Sequence, residues 1–253
     1  MVSFVGAGSG AADLITLRGA RLLATADVII YAGSLVNPEL LQMAKPECAI
    51  YDSAQMTLEA VMAVMLAAAA QQKSIVRLHT GDPCLYGAIR EQMDRLDKAG
   101  ISYDYVPGVS SFCGAAAALK AEYTLPEVSQ SVIITRMAGR TPVPPKESIA
   151  SFAAHGATMV IFLSAGLTEL LQRELLSGGY HSDTPAAIVY KATWPEERVL
   201  RCTVGTLHET ARQNHISNTA LITVGSFLGD DYARSKLYDP AFTTAFRKGE
   251  AIT

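Results

Sequence analysis

Along its first half this chain repeats one pattern: a short run rich in Val, Ile or Tyr, then a stretch with apolar residues at helical spacing. Val2–Val5, Val28–Tyr31, Cys48–Tyr51, Ile75–Leu78 and Tyr103–Val106 read as strands. Between them, Leu58, Val61, Met65 and Ala68 recur near the helical period, as do Ile89, Met93 and Leu96. Gly100 ends the latter helix, where a glycine can take the left-handed conformation. Such alternation predicts an α/β fold with a doubly wound, mostly parallel sheet.

The second half changes character. Longer β-type runs lie at Ser131–Thr135, Thr158–Leu163, Ala186–Tyr190, Val199–Val204 and Thr219–Val224. Fewer helices separate them, at about Lys146–Ala154, Leu167–Leu176 and Leu207–Asn214. A second α/β domain with a mixed sheet is expected, so that residues 1–118 form an N-terminal domain and residues 119–253 a C-terminal one. A chain of 253 residues is long enough for each to bury its own core. The tail after Gly229 is polar and weakly patterned, as a loosely held segment or a cover for a partner subunit would be.

The composition closes off several functions. The net charge is −3, which gives no nucleic-acid footprint. The apolar stretch Ala60–Ala70 is far shorter than the ~20 residues of a membrane helix, and the alanines there and at Ala115–Ala121 suit close packing. Cys48, Cys84, Cys113 and Cys202 are widely spaced, which fits neither a disulfide framework nor a zinc site, and no metal is expected. With no basic stretch ahead of the first apolar run, the expectation is a reduced, cytoplasmic protein without a leader. No G-x-S-x-G elbow and no phosphate-cradling G-x-x-x-x-G-K-[ST] loop occurs.

Three loops of the first half invite a ligand-binding reading. Gly6-Ala7-Gly8-Ser9-Gly10-Ala11 follows the first strand and is expected to open a helix, in the form of a dinucleotide fingerprint. That fingerprint needs a carboxylate after the second strand, whereas Asp27 precedes it, so a close-packed turn near the active cleft is the better reading. Thr80-Gly81-Asp82-Pro83-Cys84-Leu85-Tyr86-Gly87 lies at the carboxyl end of the fourth run, where open α/β sheets bind ligands. Gly81 admits a ligand to the backbone, Pro83 fixes the turn, and Asp82 can anchor a hydroxyl or an amine; a plain turn is the structural alternative. Pro107-Gly108-Val109-Ser110-Ser111 ends the next run similarly and opens a helix through Leu119.

In the second half, Arg136-Met137-Ala138-Gly139-Arg140-Thr141-Pro142-Val143-Pro144 sets two arginines four residues apart on a loop stiffened by prolines. Guanidinium groups bind carboxylates bidentately, so this loop suits a polycarboxylate. Tyr190-Lys191-Ala192-Thr193-Trp194-Pro195-Glu196-Glu197-Arg198 carries the single tryptophan among charges of both signs.

Taken in order, these segments resemble the tetrapyrrole (corrin/porphyrin) methylase family, from Phe4-Val5-Gly6-Ala7-Gly8 to Leu221-Ile222-Thr223-Val224-Gly225. Within that family, Tyr31-Ala32-Gly33-Ser34-Leu35-Val36, the arginine loop and Tyr190-Lys191-Ala192-Thr193-Trp194-Pro195 are similar to the precorrin-4 and cobalt-precorrin-4 C-11 methyltransferases. The resemblance implies two α/β domains with S-adenosylmethionine folded into the cleft between them, and a homodimer. It implies cofactor contacts at Thr80, Gly81, Asp82, Leu85, Ser110, Ser111, Leu163, Ala192, Thr219, Ala220 and Leu221. Asp82 is expected at the cofactor's ribose or amino-acid end. Ser9, Leu163 and Ala192 depart from the commoner Pro, Met and Gly of the family. Arg136, Arg140 and Lys191 are the candidates for the acetate and propionate groups of the tetrapyrrole, and Asp13 and Tyr123 for proton removal. The alternatives are methylation at another ring position or of uroporphyrinogen III, a nicotinamide-dependent oxidoreductase built on the glycine turn, and a tetrapyrrole carrier without a cofactor.

Overall fold

The computed structural model of the protein describes residues 1–250. The chain forms two compact units, one of Met1–Ala115 with Lys191–Glu197, the other of Ala116–Tyr190 with the residues from Arg198 on. Residues 191–197, which sequence order assigns to the second domain, therefore cluster with the first unit.

The first unit holds five parallel strands: β1 (Val2–Gly6), β2 (Val28–Tyr31), β3 (Ala49–Asp52), β4 (Ile75–His79) and β5 (Tyr103–Val106). Their order is β3-β2-β4-β1-β5. Strands β1 and β4 are buried throughout, which is why they read as nearly continuous apolar runs. Alternate residues feed two cores. Val2, Phe4, Val28, Ile30 and Ile75 pack with Met65 of helix α2 (Leu58–Ala70) and Leu96 of α3 (Arg90–Lys98). Val5, Ile29, Val76 and Leu78 pack instead with Leu23 of α1 (Leu17–Thr25) and with Leu40. Helix α4 spans Ser111–Leu119, and Gly100, at φ +67°, closes α3 as its position requires.

One expectation fails here. The glycine turn does not open a helix: it is followed by a 3₁₀ turn, Ala12–Leu14, and α1 begins only at Leu17. The reason is local. The Ala11 amide is taken by the Thr193 hydroxyl at 3.1 Å, and the Thr16 hydroxyl caps α1 by accepting from Gly19 N at 3.1 Å. The turn therefore does not lead straight into a helix N-terminus, as the anion site of a dinucleotide fold does.

The second unit holds β6 (Val132–Arg136), β7 (Thr158–Phe162), β8 (Pro185–Tyr190), β9 (Arg198–Thr203) and β10 (Ala220–Val224) in the order β6-β7-β10-β8-β9. Only β6 and β7 are parallel; the other three pairings are antiparallel, giving the expected mixed sheet. Ile161, Ile222 and Ile188 stand in register across β7, β10 and β8 and are fully buried. Leu171 and Leu175 of α6 (Thr168–Ser177) and Leu207 of α7 (Leu207–Gln213) cover them. The helix expected over Lys146–Ala154 is shorter, α5 (Ile149–Ala153), because Pro145 starts a 3₁₀ turn and Ser148 then caps a fresh start, accepting from Ser151 N at 3.2 Å. Between Asp230 and Glu250 the chain has little regular structure, though Arg247 donates to the Leu237 and Asp239 carbonyls. Among the described residues no helix is long and apolar enough to cross a membrane.

Candidate functional site

Parallel pairing places the carboxyl ends of β1, β4 and β5 side by side: Gly6 is in register with His79, and Val5 with Val106. The loops that leave these ends meet backbone to backbone. Gly8 and Gly81 exchange two hydrogen bonds, Gly81 N to Gly8 O at 2.8 Å and Gly8 N to Gly81 O at 3.3 Å. A Cβ on Gly6 would lie 2.5 Å from Gly108 Cα and 2.6 Å from Gly81 O, so no side chain fits there. Gly81, at φ +59°, sits over the start of α4, where its Cβ would lie 3.4 Å from Ser111 N. Thr80, Gly81, Leu85, Ser110 and Ser111, all expected as cofactor contacts, thus lie on two loops held against each other. Such an edge, crowded with main chain and flanked by small hydroxyl residues, fits a compact polar ligand bound largely through backbone groups.

Asp82 ties those loops together. Its Oδ1 accepts from Cys84 N at 2.8 Å and from the Tyr105 hydroxyl, and its Oδ2 accepts from Gly108 N at 2.8 Å. Burial alone would raise this carboxyl, but the hydrogen bonds from Tyr105, Cys84 and Gly108 outweigh it and hold the group below its ordinary value. Burial, reinforced by Asp82, raises the Tyr105 phenol, so it stays a donor.

Nearby, residues 191–197 wrap the glycine turn. Thr193 Oγ1 lies 3.0 Å from Ser9 Oγ, and Trp194 lies against Gly10, where a Cβ would meet its indole Nε1 at 2.5 Å. Buried Asn37 donates to Gly10 O at 2.9 Å and caps the 3₁₀ helix Pro38–Met43. A concavity of about 460 Å³ opens beside them, lined by Ala11, Ala12, Asp13, Asn37, Glu39, Thr193, Trp194 and Pro195. Asp13, a candidate for proton removal, is exposed at its rim. Lys191 Nζ lies 3.5 Å from Glu196 and 5.4 Å from the Trp194 ring centre, and Ala192 is buried.

In the second unit, strand register gathers Arg136, Phe162, Tyr190 and Ala220 at one sheet edge. Leu163 follows β7 with 65% of its surface exposed and φ +52°, and Thr219 precedes β10 at φ +49°. A leucine and a β-branched threonine in the left-handed region each cost of order 1–3 kcal/mol, a strain that concentrates at functional sites. Ala220 and Leu221 are the first two residues of β10. The two arginines differ. Arg136 donates to the carbonyls of Met137, Thr141 and Pro142, at 3.1, 3.2 and 2.8 Å, and so folds its own loop. Arg140 is exposed and has no hydrogen bond or ion pair with another described residue. Tyr123, the other candidate for proton removal, is 8% exposed, its ring edge-on to Phe227 at 5.1 Å.

Residues 1–208 match the family of tetrapyrrole (corrin/porphyrin) methylases. The chain belongs to that family. It is 51% identical, over 98% of its length and 96% of the relative's, to the cobalt-precorrin-4 C(11)-methyltransferase of Methanocaldococcus jannaschii. The solved structure of a cobalamin biosynthetic enzyme, cobalt precorrin-4 methyltransferase, superposes with a TM-score of 0.89 at 44% identity, covering 90% of this chain and 96% of that one. The uroporphyrin-III C-methyltransferase of Thermus thermophilus, solved with S-adenosyl homocysteine, gives 0.76 at 26% identity, covering 90% and 98%. This methylase is therefore no nicotinamide oxidoreductase. Asp27, the carboxylate at the wrong strand end, has a structural role: it accepts from Lys45 at 2.6 Å and from Ser74 N at 2.7 Å. Tyr105, Asn37 and Thr193, none of them a candidate by sequence, each hold a loop of this methylase in place. Only Asn37 left a signal, as the Asn-Pro pair that starts a capped turn.

Proposed function

We propose that this methylase transfers a methyl group from S-adenosylmethionine to ring carbon C-11 of precorrin-4 or cobalt-precorrin-4, a step of cobalamin biosynthesis. The observation that carries this reading is the 51% identity, over nearly the full chain, to a relative of that name. In the first unit, the backbone of the loops at Thr80–Leu85 and Ser110–Ser111, with Ala192, would hold the cofactor. The same reading assigns Leu163, Thr219, Ala220 and Leu221 of the second unit to it.

When bound, S-adenosylmethionine supplies an electrophilic methyl group on a sulfonium centre. The acceptor carbon belongs to an electron-rich, enamine-like system, so the protein's main task is alignment of donor and acceptor at about 3–3.5 Å. A carboxylate set against the sulfonium would stabilise the ground state more than the transition state, where that charge is fading. The carboxylate of Asp82 instead accepts three hydrogen bonds from its own unit. Arg140 is the fork best placed to take an acetate or propionate group, while Arg136 shapes the loop that carries it. Incubation with the tetrapyrrole and donor labelled in its methyl carbon, followed by NMR, tests the proposal. Label at C-11 supports it; label at another ring carbon, or on uroporphyrinogen III alone, refutes it.

A further inference from the structure

Asp82 has the chemistry of a ligand residue and the surroundings of a structural one. Its carboxylate sits where the loop after β4 meets the loop after β5, and it accepts from Cys84 N in the first loop and Gly108 N in the second, both at 2.8 Å. The Tyr105 hydroxyl, rising from β5 itself, also donates to Oδ1. The tie is short-range on every side: a Cβ on Gly81 would lie only 3.4 Å from Ser111 N and 3.5 Å from Ser110 Cα, and Gly8 bonds Gly81 in both directions. If the carboxylate let go, Gly108 N would lose its acceptor and the Tyr105 hydroxyl a strongly polar partner. The loops carrying Gly81 and Ser110 would then be free to part.

We propose that Asp82 and Tyr105 form a positioning pair, which sets the spacing between the Gly81 and Ser110 backbones, so that the cofactor meets main chain there and not the Asp82 carboxylate. The inference rests on the S-adenosylmethionine reading above. A charge-assisted hydrogen bond from a part-buried phenol is among the stronger single ties a loop can have, and its acceptor here is shared with two main-chain amides. Phenylalanine at position 105 would keep the ring packing and remove only that tie. Tyr105 is thus a positioning residue, acting through Asp82.

The test uses the full chain, with S-adenosylhomocysteine as probe. Binding by calorimetry is measured for the parent, Tyr105→Phe, Asp82→Asn and the double variant, and amide hydrogen exchange is followed in the absence of ligand. Tyr105→Phe is expected to weaken binding about tenfold. The double variant should be no weaker than Asp82→Asn, because both changes break one unit. Exchange over residues 80–85 and 107–111 should rise in each single variant before any ligand is added. With the methyl-transfer assay, the donor KM should rise while kcat at saturating donor stays near that of the parent. Fully additive losses would overturn the pairing. So would a loss of affinity in Asp82→Asn with unchanged exchange, which would make the carboxylate a direct ligand. Should Tyr105→Phe not fold, the exchange measurement on Asp82→Asn decides by itself. Failure of the parent to bind S-adenosylhomocysteine would instead count against the cofactor reading, so the two failures are distinct.

Discussion

Replacing Gly6 by Ala adds one methyl group at the point where three strand-end loops touch. The new Cβ would stand 2.5 Å from Gly108 Cα, 2.6 Å from Gly108 N and 2.6 Å from Gly81 O, whereas real Cβ contacts essentially never fall below 3.0 Å. The obstacles are main chain on two sides, so no rotamer can relieve them. Both loops must move away by roughly 0.4–0.5 Å to reach 3.0 Å, and further for ordinary contact. A movement of that size strains the bond from Gly108 N to Asp82 Oδ2, now 2.8 Å. Overpacking of this kind costs about 1–3 kcal/mol, and rigid backbone obstacles place this case in the upper half. A fall in Tm of roughly 5–10 °C is the expected outcome in differential scanning calorimetry, with S-adenosylhomocysteine affinity down at least tenfold. Gly100→Ala is the matched control. At φ +67° it should cost about 1 kcal/mol through conformation, yet nothing lies within 4 Å of its Cβ, and it ends α3. It should melt earlier and bind S-adenosylhomocysteine like the parent. If Gly6→Ala bound that ligand with parental affinity, the view that these loops build the cofactor site would be wrong.

The arginine loop separates binding from architecture. Arg140→Ala should raise the KM for the tetrapyrrole about tenfold, leaving Tm unchanged, whereas Arg136→Ala should also lower stability by about 1–3 kcal/mol, because three carbonyls lose their donor. An unchanged melting curve for Arg136→Ala would refute the second role. His79 sets an acid limit. Burial, aided by the charge of Arg77, pushes its pKa down to about 3, and its Nε2 has no hydrogen-bond partner. The unfolded chain, near pKa 6.5, binds the proton more readily. This contribution is therefore complete above about pH 6.5 and lost as pH falls toward 3. Between pH 7 and pH 4.5 that amounts to roughly 2–3 kcal/mol, read as a shift in urea midpoint. His79→Leu should shrink the shift by that amount, and an equal shift in parent and variant would exclude His79 as its source.

Local pattern and spatial arrangement were legible to different degrees, and the first unit shows why. Strands β1 and β4 announce themselves because parallel strands buried on both faces are mostly apolar, interrupted here only by Ser3, Arg77 and His79, and Gly81 and Gly108 stand out as glycines at strand ends. The same rule misreads Tyr105, which in sequence is one more aromatic strand former. Its role arises because the sheet order β3-β2-β4-β1-β5 sets β1 between β4 and β5, so that the loops leaving these two strands close over Gly6. Nothing in the spacing of Asp82 and Tyr105 encodes that closure. Ser9 and Thr193 make the same point across 184 positions. Charge was legible at Arg136 and direction was not: the proline-stiffened loop that suggested a rigid fork curls so that its own carbonyls accept from the guanidinium. Asp82 is the sharpest case. A carboxylate after a strand end suits a ligand's hydroxyl or amine just as well as it suits two amides and a phenol, and the spacing alone does not show which neighbours the sheet brings to it. In this fold the packing of β1 between β4 and β5 brings the amide of Gly108 and the hydroxyl of Tyr105 to the carboxylate.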